Sequence, residues 1–226
     1  MLQPATLRFL KQLAKNNDKT WFDAHRGDYE AAKGDFAAFI QKVLDAHSVK
    51  DEDLRTLKAK DCLFRINRDI RFSKNKAPYK NNMGASLDRG GKKSIYAGYY
   101  IHVQPGGESF VGGGLWIPEA PELKKIRQEI DYCWEEFQKV IKAKPFVTQY
   151  GDILKGEYSL STMPKGYDKE NPAAEYLKLK SFLAIRSLSD AELADKGLLK
   201  AVLKAFEALQ PLLGFLNRAI EHEDEP

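Results

Sequence analysis

Cysteine is scarce in this sequence, with two in 226 residues, Cys62 and Cys133. Neither belongs to a Cys-x-x-Cys or Cys/His pattern, so a disulfide framework is excluded and a reducing, cytoplasmic setting is expected. Histidine is nearly as rare, at four, and no His-Glu-x-x-His occurs, so no metal centre is expected. No apolar run approaches the ~18 residues of a membrane span. The opening Met1-Leu2-Gln3-Pro4 lacks the basic flank and apolar stretch of a signal peptide, and no membrane association is expected. A Gly-x-Gly-x-x-Gly fingerprint is missing as well. Gly90-Gly91-Lys92-Lys93-Ser94 lacks the first glycine and the following helix of a phosphate loop. Ser73-Lys74-Asn75-Lys76 matches Ser-x-x-Lys without the Ser-Asp-Asn and Lys-Thr-Gly elements that accompany it. Gly84–Asp88 lacks the second glycine of a nucleophile elbow. No cofactor is expected, and whether the protein is an enzyme is left open.

Apolar residues make up 43% and charged residues 30%, the balance of a soluble globular chain. At this length folding buries roughly 70% of the unfolded surface, so no staple is required. The net charge of +4 is small, but its placement is uneven. Residues 60–93 hold ten Lys or Arg against three Asp, a net +7, while the other 192 residues carry 26 basic and 29 acidic side chains. Such a cluster attracts anions whatever the global balance. The acidic tail 221–226 is expected to fray.

Pro4 suits a first helical turn, with Leu7, Leu10 and Leu13 at helical spacing behind it. Asn16-Asn17-Asp18 breaks that helix, and Asp18 or Thr20 caps the next, which is one long helix or two joined near Gly27 and ends before Ser48. Asn82–Asp88, Ile95–Val103 and Ser109–Ile117 are short, β-rich and separated by Gly-Gly turns, the pattern of an antiparallel meander. Leu123 to Ile141 forms a long amphipathic helical stripe, and 145–170 is read as irregular. A short helix near 172–179, a strand at Ser181–Leu188 and a closing helix from Leu199 to Ile220, bent at Pro211, complete the chain. This order predicts one α+β domain over 1–226: an antiparallel sheet with N-terminal helices, a long middle helix and a C-terminal helix packed on it.

The segment 62–82 carries the chemistry. Leu63, Phe64, Ile66, Ile70 and Phe72 anchor it, while Arg65, Arg68, Arg71 and Lys74 recur every third residue. Arginine forks match carboxylate and phosphate oxygens two at a time, and Lys76 and Lys80 add point charges. Pro78 stiffens the backbone at Ala77. The expected ligand set is Arg65, Asn67, Arg68, Arg71, Lys76, Tyr79 and Lys80, with a small phosphate- or carboxylate-bearing ligand as partner. Two alternatives use the same residues. One is nucleic acid, ranked behind the small anion because the rest of the chain is net acidic. The other is an internal salt-bridge network in which Asp69 ties the arginines together and the domain serves structure or interaction alone.

The run Asn67-Arg68-Asp69-Ile70-Arg71-Phe72-Ser73-Lys74-Asn75-Lys76-Ala77-Pro78-Tyr79-Lys80 resembles the core motif of the domain-of-unknown-function family 2461. Trp21-Phe22, Arg26 and Tyr29 upstream are similar to that family's early pattern, as are Tyr99-Tyr100-Ile101-His102, the glycines at 112–114 with Trp116, and Arg127 downstream. The resemblance implies a single α+β domain and no particular activity.

His102 is the one histidine expected on a strand, sharing a face with Tyr96, Gly98 and Tyr100. With a two-residue turn at Gly106-Gly107 it would lie opposite Val111, and Tyr100 opposite Gly113. His102 and Asp69 are the candidates for proton transfer if the domain performs chemistry.

Overall fold

The computed structural model describes residues 1–222; of the acidic tail, 223–226 lie outside the described residues. Helices α1 (Pro4–Lys15), α2 (Lys19–Ala24), α3 (Arg26–His47) and the short α4 (Ala59–Cys62) come first. Strands β1 (Met83–Leu87), β2 (Gly98–Val103) and β3 (Ser109–Leu115) follow. Helices α5 (Ala120–Tyr132), α6 (Trp134–Ile141), α7 (Lys144–Tyr150) and α8 (Ala174–Leu177) precede β4 (Phe182–Leu188). Helices α9 (Asp190–Ala194) and α10 (Leu198–Glu221) close the chain. The four strands form one antiparallel sheet in sequence order, β1-β2-β3-β4, so the fold is α+β. No helix among the described residues is long and apolar enough to cross a membrane.

The chain groups into two compact units, each assembled from separate stretches. The first comprises Met1–Lys92, Tyr100–Val111 and Ser187–Lys204. Within it α1 packs on α3, with Leu7, Phe9, Leu10 and Leu13 buried on α1 and Phe36, Phe39, Ile40, Val43 and Leu44 on α3. Each such side chain contributes about 1.5–3 kcal/mol by leaving water. Asp35 of α3 fixes the start of α1, accepting from the Gln3 amide at 2.8 Å and the Thr6 hydroxyl at 2.6 Å. Asp18 caps α2 by accepting from the Trp21 amide. Of the two alternatives for the stretch before Ser48, two helices hold, parted at His25, whose backbone leaves the helical region. Ser189 and Glu192 form a reciprocal capping box on α9.

The second unit comprises Lys93–Tyr99, Gly112–Arg186 and the chain from Ala205. Tyr99 meets Phe206 of α10 at 4.4 Å, and Phe137 of α6 meets Phe215 at 5.1 Å. The stripe expected as one middle helix is divided at Cys133, where φ −106° and ψ 37° end α5 and start α6. β2 begins at Gly98 rather than Ile95, because both backbone groups of Ala97 are taken by the Asn217 amide. The stretch 145–170 starts as helix α7, with Pro145 in its first turn and Phe146 buried. Its remainder is tied down through Leu154 N–H to the Leu183 carbonyl and a bridge between Ser159 and Leu179.

Candidate functional site

The basic segment folds back on itself, starting from the edge of the sheet. Leu63 bridges Ala85 on β1, and the Phe64 amide donates to the Gly84 carbonyl at 3.0 Å. The chain then leaves and returns as a narrow loop. Asn67 bridges Tyr79, the Arg68 amide donates to the Pro78 carbonyl, and the Lys80 amide donates to the Ile66 carbonyl. Asn17, from the α1–α2 turn, clamps the returning arm: its amide donates to the Tyr79 carbonyl at 2.9 Å and accepts from the Tyr79 N–H at 3.0 Å. The Tyr79 ring is buried and stacked on Phe22 at 3.9 Å.

The tip is braced by its own side chains. Arg68 reaches across the loop, donating to the Ala77 carbonyl at 3.0 Å and the Ser73 hydroxyl at 3.3 Å. Lys76 turns back onto the Ile70 carbonyl at 3.1 Å, and Asn75 accepts from the Ala77 amide. Arg71 grips Asp69 with two guanidinium nitrogens, at 3.0 and 2.6 Å. That side-chain contact, with the Arg71 backbone amide, holds the exposed Asp69 carboxyl below its ordinary range. A carboxylate kept ionised in this way is a poor proton donor.

Two of the seven expected ligand residues meet in a pocket. A cavity of about 400 Å³ is lined by Arg68 and Lys80 with Asn17, Asn75, Asn81 and Asn82, and no acidic residue lines it. Arg71 and Lys76 are engaged at the tip, Tyr79 is buried at the base, and Asn67 and Arg65 are exposed. Lys80 is half-buried, and none of the ion pairs formed by the described residues includes it. Burial first, and then the like charge of Arg65, lower its pKa. Its ammonium stands 5.4 Å from the centroid of the Phe64 ring, which Lys92 also approaches, at 6.0 Å.

A row of polar side chains on the outer face of β2 connects with this pocket. Asn82 donates to Gln104 Oε1 at 3.3 Å, and His102 Nε2 lies 3.2 Å from the same oxygen. The other end of the Gln104 amide donates to Glu108. A carboxylate only accepts, so Glu108 fixes Gln104 Nε2 toward itself and Oε1 toward Asn82 and His102. His102 then carries its proton on Nε2, leaving Nδ1 to accept the long contact of 3.4 Å from the Tyr100 hydroxyl. Burial lowers the His102 pKa, opposed by the Gln104 contact and the Glu108 charge, with Lys80 adding to the decrease. Burial thus favours the neutral imidazole, in a fixed tautomer, which is the form a proton acceptor requires.

The ring of His102 stacks on Phe110 of β3 at 4.8 Å and 9°. Its cross-strand neighbour is accordingly Phe110 and not Val111, which is buried on the other face. The turn spans Pro105-Gly106-Gly107, one residue longer than the two-residue hairpin, and Asp190 holds it by accepting from the amides of Gly106 and Gly107. The space beside Tyr100 is supplied by Gly84 of β1, where a Cβ would collide with the Tyr100 hydroxyl. On the same strand, Ser86 donates to both oxygens of Asp88, at 2.9 and 2.7 Å. Burial nevertheless pushes the Asp88 carboxyl up to about 6. Burial, with the nearby charge of Asp88, pushes the Cys62 thiol up to about 11.

Sequence reasoning missed the asparagines at 17, 75, 81 and 82 and the Gln104 link. Only the pair Asn81-Asn82, following the anchored Tyr79-Lys80, signalled them. No group of three or more His, Cys, Asp or Glu among the described residues is arranged to hold a metal ion.

Fold and site together define an α+β protein whose antiparallel sheet carries a cross-braced basic loop at its edge. Residues 5–215 match the family model described as conserved hypothetical protein (DUF2461), and the chain belongs to that family. No curated protein and no solved structure matches the chain.

Proposed function

We propose that the protein binds a small anionic ligand, phosphate- or carboxylate-bearing, in the pocket formed by Arg68, Lys80 and the four asparagines. The observation that carries this reading is Lys80. Burying an ammonium among polar groups, outside any ion pair and under the influence of Arg65, costs stability that an anion would restore. Arg68 is held in place by the loop it braces, so little ordering accompanies binding. Asparagine amides donate or accept as a ligand's hydroxyl and oxyanion groups require. Any chemistry at this site would use His102 as the proton acceptor, linked to the pocket through Gln104 and Asn82. A cytoplasmic location belongs to the same proposal and accords with two free thiols.

Thermal unfolding in the presence of phosphate, sulfate, dicarboxylates, sugar phosphates and nucleotides tests the reading. A ligand at a hundred times its dissociation constant adds ~2.7 kcal/mol, roughly 5–10 °C for a chain of this size. The expected result is a selective shift with one class, retained at moderate salt and absent in Lys80→Met. Silence with every small anion overturns the proposal and leaves a loop that serves the fold alone.

A further inference from the structure

Phe72, at the tip of the basic loop, is 95% exposed. It does not anchor the segment as its apolar character led us to expect: the ring lies in solvent, open to a partner. The guanidinium of Arg71 lies 5.9 Å from the ring centroid and is itself held by Asp69. Lys74, also exposed, is two residues away, and none of the ion pairs of the described residues includes it. The only acid in the tip is Asp69, already engaged by Arg71. An open aromatic face bordered by cations on a preorganised backbone is the combination that base stacking and phosphate contact require. A lipid-inserting tip needs several apolar side chains; between Asp69 and Ala77, Phe72 is the only large apolar residue that is fully exposed, since Ile70 is half-buried.

We infer that the loop tip is a docking site for single-stranded nucleic acid, with one base stacked on Phe72 and a neighbouring phosphate on Lys74. Neither of these lines the Lys80 pocket, so this inference and the small-anion reading fail or stand separately. Contact is brief along the strand and lacks readers of base edges, so it tolerates any sequence that offers an unpaired base.

Fluorescence polarisation of labelled oligo-dT, beside an abasic deoxyribose-phosphate strand of equal length, tests the inference. The wild type should bind oligo-dT at low salt, more tightly than the abasic strand, with affinity falling as salt rises. Phe72→Ala should lose about 5- to 150-fold, the range that base–aromatic stacking supports, with an unchanged melting temperature because the ring is exposed. Phe72→Trp should retain binding. Equal affinity for the two strands, no effect of Phe72→Ala, or no binding at low salt overturns the inference. So does Phe72-dependent binding to phosphatidylserine vesicles without binding to oligo-dT, which would assign the tip to a membrane surface.

Discussion

Lys80 and Arg65 lie close enough for the guanidinium to depress the ammonium, and the ion pairs of the described residues include neither of them. Arg68, in the same pocket, is by contrast bonded to the Ala77 carbonyl and the Ser73 hydroxyl. The two cations therefore predict opposite outcomes when removed. Lys80→Met should leave unliganded stability unchanged or raise it by up to about 1 kcal/mol, since a desolvated like charge is removed. Arg68→Ala should cost about 1–3 kcal/mol by freeing both arms of the loop. Urea unfolding of both variants without added anions checks the contrast; equal losses would contradict it.

The half-buried carboxyl of Asp88 gives a pH signature. Its folded pKa of about 6 lies above the unfolded value, so the folded state binds more protons between pH 3.8 and about 6. The contribution of Asp88 to stability is complete below that window and is lost as pH rises through it, by at most about 3 kcal/mol. His102 acts in the other direction. Its folded pKa is lowered, so its contribution is complete above the unfolded value and is lost as pH falls through the folded one. Asp88→Asn separates the two: it should be more stable than wild type at pH 7.5 by about 1–3 kcal/mol, with no advantage at pH 4. Urea midpoints at both pH values measure this, and an advantage independent of pH would contradict it.

Glycines on the sheet differ in what confronts them. At Gly84 an added Cβ meets the Tyr100 hydroxyl, the end of a side chain that can turn aside. At Gly114 it meets the Phe182 carbonyl, part of the β4 backbone, at a φ of 124°. Gly84→Ala should cost about 1 kcal/mol and shift the His102 ring resonances, whereas Gly114→Ala should cost about 3 kcal/mol or more. Chemical denaturation with histidine NMR distinguishes them.

Cys62 is fully buried and its thiol is pushed up to about 11. Cys133 is half-buried, with its thiol also raised by burial and by Glu129. Thiolates are the reactive form, so neither should react quickly with a thiol reagent at pH 8 while the protein is folded. Cys62 should react only after unfolding. Rapid native labelling of Cys62, read by mass spectrometry, would contradict the burial described here.

The order of helices and strands was legible because apolar spacing is local: the α1 stripe, the three middle strands and β4 follow from it directly. The basic segment was legible as a cluster because charge can be counted. Which cations converge was not, since Arg71 and Lys76 are diverted by Asp69 and the Ile70 carbonyl within the tip. Asn17 is far from Tyr79 in sequence, and only folding brings its amide to the Tyr79 backbone. The sheet register was missed by one residue because Asp190, distant in sequence, holds a three-residue turn at Pro105-Gly106-Gly107. The break at Cys133 left no mark on the helical pattern either, as Ile130 and Phe137 continue its apolar face.

The most direct measurement is calorimetric titration of wild type and Lys80→Met with the anion that gives the largest thermal shift. Wild type should bind saturably and the variant should lose at least tenfold, the equivalent of ~1.4 kcal/mol. Equal binding by the two proteins, or no heat from the wild type with any small anion, would contradict it.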